Sequence, residues 1–78
     1  MNNEELKKKL EELTGIEVKD GLDYAKYIGD YEYFQSEFER YNREYEETKF
    51  NHVKRMCDEQ LYSISCSMDS LKEEIKKQ

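Results

Sequence analysis

The chain has no proline and no tryptophan, and its 78 residues include only three glycines, two cysteines and one histidine. Without proline the strongest helix breaker is gone, and from Asp30 to Gln78 glycine is missing as well, so nothing in the backbone chemistry forbids helix there. The two cysteines, Cys57 and Cys66, would stand about 13 Å apart along a helix axis, too far for a disulfide, and read as reduced thiols. The lone histidine, His52, has Cys57 five residues on rather than three or four, so no pair of ligands shares a helical face and neither a metal nor a cofactor is expected. No apolar run approaches the ~20 residues of a membrane span. The opening Met1-Asn2-Asn3-Glu4-Glu5 lacks the basic-then-apolar layout of a secretion signal, so the expectation is a soluble cytoplasmic protein (in the host cytoplasm, if phage-encoded) without a membrane partner. Ser63, Ser65, Ser67 and Ser70 form no nucleophile motif, and Glu46-Glu47 and Glu73-Glu74 are ordinary helix surface. No enzyme is expected.

What the chain does have is charge and tyrosine. Charged residues make up 41% of it, with a net charge of -6, and seven of its ten aromatics are tyrosine. The imbalance is local: Glu17 to Glu47 holds ten acids and four bases, while the segments before and after come to -1 and +1. Clustered carboxylate disfavours direct nucleic-acid binding, which needs clustered lysine and arginine, and favours a basic protein surface as partner. High charge alone would suit a disordered chain, but 13% aromatics in a sustained period argue for a folded one.

That period is plainest in a ladder of seven aromatics, Tyr24, Tyr27, Tyr31, Phe34, Phe38, Tyr41 and Tyr45, stepping by three and four residues. A second stripe, Cys57, Leu61, Ile64, Met68, Leu71 and Ile75, keeps the same spacing in a different heptad phase, and the register is lost between Glu46 and Val53. A break is expected there, with Thr48 or Asn51 capping a new helix. Upstream, Asn2 or Asn3 caps a first helix carrying Leu6, Leu10 and Leu13 and stopped by Gly15. Gly15 to Gly21 reads as a structured loop. Asp20 reads as the cap of a second short helix ended by Gly29, and Asp30 as the cap of the next. From Tyr62 to Met68 apolar residues alternate with Ser63, Ser65 and Ser67 as in a strand, but strongly helical flanks decide for helix.

These signals predict a single all-α domain, a small helical bundle of three or four helices dominated by a long antiparallel helical hairpin. Residues 1–29 supply short N-terminal helices and loops, and residues 30–47 and 51–77 the long helices. Eight aromatics between Tyr24 and Tyr45 exceed what one helix face can hide, so tyrosine should be exposed among carboxylates. Tyr33, Glu37, Tyr41, Glu44 and Glu47 are the expected protein-binding residues, because exposed tyrosine ringed by carboxylate suits an interface. Spaced carboxylates on a rigid helix can also imitate a row of phosphates. The expected function is a non-enzymatic binding module, a small acidic inhibitor that docks on a basic protein surface, with nucleic-acid-binding proteins among the candidate partners, comparable in size and charge to phage anti-CRISPR or immunity proteins. The alternative is a structural protein that pairs with a second copy of itself through the Cys57 to Ile75 stripe.

One family resemblance bears on this reading. The segment Gly15-Ile16 through Gly21-Leu22, then Ile28-Gly29-Asp30 and a helix opening Tyr31-Glu32-Tyr33-Phe34, resembles the opening of histidine phosphotransfer domains over roughly a third of the chain. The resemblance implies a four-helix bundle that docks response-regulator receiver domains. Where that family carries its histidine, Tyr62-Ser63-Ile64-Ser65-Cys66-Ser67 offers Ser67 instead, which implies docking without phosphate relay.

Overall fold

A computed structural model describes residues 2–78. Within them the chain forms three helices, α1 (Asn3–Thr14), α2 (Tyr24–Glu47) and α3 (Asn51–Lys77), and no strand. α1 begins and ends as its sequence dictates. The Asn2 side chain accepts a hydrogen bond from the Glu5 N–H at 2.9 Å, Glu4 and Glu5 occupy the positive end, and Gly15 turns left-handed at φ 73° with its N–H donating to the Glu11 carbonyl.

α2 departs from expectation at its start. Gly29 does not end a helix and Asp30 does not cap one: a single helix runs through both, so the second short N-terminal helix is absorbed into α2. Tyr24, Tyr27, Ile28 and Tyr31 explain this, since all four are buried along one unbroken face. A glycine inside a helix costs about 1 kcal/mol, less than the ~1.5–3 kcal/mol that burying any one of these side chains contributes. The cap is Asp23, which accepts from the Lys26 N–H at 3.3 Å, rather than Asp20, which pairs with Lys7 at 2.8 Å. The Tyr24 hydroxyl closes the turn before the helix, donating to the Lys19 carbonyl and accepting from the Gly21 N–H, each at 3.2 Å.

The helical run pauses for three residues, 48–50, inside the interval where the stripes lose register. Neither Thr48 nor Asn51 caps α3. Phe50 holds the cap position with no side-chain hydrogen bond, Thr48 Oγ1 accepts from the Phe50 N–H at 3.2 Å, and Asn51 is already helical. Residues 62–68 are helix, because Leu61, Ile64, Met68 and Leu71 face inward only at helical phase.

Lys54 lies over the Tyr45 ring and Lys72 over the Tyr31 ring, so α3 runs back along α2. α1 packs against α2 near its beginning, with Lys9 3.8 Å from Glu32. The core lies at this end: Leu10, Val18, Tyr24, Tyr27, Ile28, Tyr31, Leu71 and Ile75 are buried, edged by Phe34 and Met68. Beyond those two residues α2 and α3 continue as a two-helix arm, residues 35–62, in which Cys57 is the one buried side chain. The shape records this: the long dimension is 47 Å and the radius of gyration 15.0 Å, against about 11.5 Å for a compact domain of this length. Three helices among the described residues are one fewer than the bundle implied by the phosphotransfer resemblance.

Candidate functional site

Tyr33, Glu37, Tyr41, Glu44 and Glu47 all fall on α2, along about 21 Å and within an arc of about 120°. Tyr33 sits off the aromatic ladder and is 61% exposed, its ring edge-on to Phe34 at 5.8 Å. Tyr41 borders the ladder and is half-buried. Glu44 and Glu47 are exposed, and Glu37 is half-buried.

The strip is not purely negative. Arg40 reaches Glu37 at 2.6 Å and stacks over the Tyr41 ring at 4.5 Å, and these two neighbours raise its already high pKa, the Glu37 hydrogen bond most. Arg40 and Arg43 also line the shallow groove that holds Glu44, Glu47, Thr48 and Val53. Two of the five expected residues thus have basic neighbours already, and the groove near the helix end is of mixed sign.

A cleaner negative feature emerges from the heptad phase. Asp23, Asp30, Glu37 and Glu44 recur every seventh residue and make one rail beside the aromatic stripe. Glu32, Glu39 and Glu46 make a second rail on the other flank, the flank where Lys9 of α1 engages Glu32. Negative charge therefore surrounds α2 rather than marking one side of it. By helix it is nonetheless concentrated: α2 carries seven acids and three bases, whereas α3 carries five of each.

Where the first rail meets α3, on the side away from α1, lies an open groove lined by Asp30, Phe34, Ser63, Cys66, Ser67, Ser70, Leu71 and Glu74, with no basic side chain among them. Sequence reasoning passed over Asp30 and Glu74 here. Asp30 had a usable signal, standing seven residues before Glu37. Glu74 had none, since only packing brings it to α2.

The two cysteines differ in exposure. Cys57 is buried, and loss of solvent, reinforced by the nearby Glu44 and Asp58 carboxylates, pushes its thiol pKa up and keeps it protonated. Cys66 is exposed. No group of three metal-ligating side chains assembles among the described residues. No described helix is long and apolar enough to cross a membrane. The stripe expected to pair with a second copy is largely consumed inside the molecule, with Cys57, Leu71 and Ile75 buried and Leu61, Ile64 and Met68 half-buried.

No protein-family model, no curated protein and no solved structure matches the chain.

Proposed function

We propose that this protein acts by stoichiometric binding, its antiparallel hairpin serving as a rigid scaffold that docks α2 on a basic surface of another protein and blocks it. The observation that carries the reading is the acid rail of Asp30, Glu37 and Glu44, with Glu47 beside it, running next to the exposed ring of Tyr33. Carboxylates repeating every seventh residue stand about 10 Å apart at ~1.5 Å per residue, which suits a surface built to receive spaced phosphates. The partner class that follows is a basic, nucleic-acid-binding protein, and the mode is that of small antagonists such as anti-CRISPR or immunity proteins. Tyr33 and Tyr41 supply the apolar contact at low entropic cost, and the carboxylates supply rate and partner choice.

The test is affinity capture from cell extract with the wild-type chain and with the triple variant E37K/E44K/E47K, checked for unchanged helix content by circular dichroism. The expected result is a basic protein that the wild type retains, that duplex DNA and raised salt displace, and that the variant loses. Identical retention by both chains overturns the reading.

A further inference from the structure

We infer that the open groove between Asp30 and Glu74 takes an arginine side chain of the protein partner, its guanidinium held by the two carboxylates against the Phe34 ring. The inference rests on the docking of a basic partner proposed above and names the side chain that anchors it.

The molecule holds an arginine of its own in the same manner further along α2. Arg40 is bonded to Glu37 at 2.6 Å while its guanidinium lies 4.5 Å over the Tyr41 ring, so an acid of the first rail and an aromatic of the ladder share one arginine. Seven residues earlier the same rail and the same ladder place Asp30 and Phe34 on the same strip. The position that corresponds to Arg40 is Tyr33, so here the acid and the ring have no arginine beside them in the chain. Among the described residues neither Asp30 nor Glu74 enters an ion pair.

α3 supplies the other wall. Ser63, Ser67, Ser70 and Glu74 follow one another at spacings of four, three and four residues and line the groove from one helical face. None of the three hydroxyls is engaged in a hydrogen bond within the described residues, so each is free to accept one. The neighbouring bases stand one helical turn outside. Lys26, four residues before Asp30, lies over the Tyr27 ring at 5.3 Å, and Lys77 comes three residues after Glu74; neither lines the groove.

These features select among cations. No group of three metal-ligating side chains assembles among the described residues, which sets a metal ion aside. The groove offers about 620 Å³, within the ~300–1,000 Å³ of ligand clefts, yet it is open, so it admits a side chain together with the backbone that carries it rather than enclosing a free small molecule. A lysine ammonium is a compact charge with three donors. A guanidinium spreads five donors in one plane, which lets it reach carboxylates on both walls and a serine hydroxyl while its face covers Phe34.

The test is an NMR titration of the full isotope-labelled chain with two blocked tripeptides, acetyl-Gly-Arg-Gly-amide and acetyl-Gly-Lys-Gly-amide, at constant ionic strength. The arginine tripeptide is expected to shift the amides that line the groove and to saturate with a Kd of about millimolar, as suits one side chain in an open site. The lysine tripeptide is expected to bind about threefold more weakly or less. D30N/E74Q, altered only at exposed positions, is expected to weaken arginine binding about tenfold, with its spectrum away from the groove unchanged. Shifts that never saturate, shifts centred on Glu44 to Glu47, equal affinity for the two tripeptides, or equal affinity in the variant each overturn the inference. The titration involves no natural partner and no change at Glu37, Glu44 or Glu47, so its failure and a failure of the capture experiment are told apart.

Discussion

Tyr31 shows what one side chain does here. It is buried between α2 and α3 with the Lys72 ammonium 5.9 Å over its ring, at the edge where the core gives way to the arm. Truncation of a buried aromatic costs about 3–5 kcal/mol, a large part of the ~5–15 kcal/mol that stabilises an ordinary domain. Tyr31→Ala is therefore expected to leave the chain largely unfolded at 37 °C, as read by circular dichroism. Tyr24→Phe is a milder probe, since it removes only the hydroxyl that bridges Lys19 and Gly21. A net loss of about 0.5–1.5 kcal/mol is expected, seen as a Tm lower by several degrees. The cysteines separate by exposure: at pH 8 a thiol reagent should label Cys66 at once and Cys57 only after denaturant is added. Because the folded Cys57 thiol has a raised pKa, its contribution to stability is complete below the ordinary thiol pKa of about 8.5 and is lost as pH rises through the folded value. Replacing Cys57 by alanine should therefore flatten the decline in Tm above that pH.

At the scale of elements, the sequence reads well where a helix boundary is made by local chemistry. Asn2 and Gly15 bound α1 through hydrogen bonds and a left-handed residue that lie within one turn of chain. It reads less well at Gly29, where the local preference for a break loses to four buried side chains on the same face. Gly29 is exposed, has no positive φ, and has open space where a Cβ would stand. Gly29→Ala is accordingly expected to stabilise α2 by about 0.5–1 kcal/mol and to raise Tm by a few degrees; a lowered Tm would show that the helix is not continuous there. The beginning of α3 is a second soft point. Phe50 is 65% exposed at an N-cap position with no capping hydrogen bond, so Phe50→Asp is expected to add about 1 kcal/mol through a new cap and the helix dipole.

For the whole molecule, the buried core lies at one end. The base holds eight clustered core residues, and the arm holds Cys57 alone as a fully buried side chain. Hydrogen exchange should reflect this division, with amides of residues 38–47 and 51–60 exchanging faster than those of 24–34 and 66–76 in dilute solution. The expected binding strip lies partly on this arm, where rings are half covered because only two helices are present to cover them.

The order of residues alone was enough for the helical class, the pause near residue 48, the exposure of Tyr33 and the concentration of negative charge between Glu17 and Glu47, because each follows from spacing along the chain and helical geometry. Packing decided the rest. Which carboxylates share a flank, which have Arg40 and Arg43 as neighbours, where Glu74 joins Asp30, and that α1 covers only one end of the pair all depend on distances between segments far apart in the chain. A one-dimensional period carries the phase of each helix, but only close contact between helices determines which phases face each other and which are left open to water.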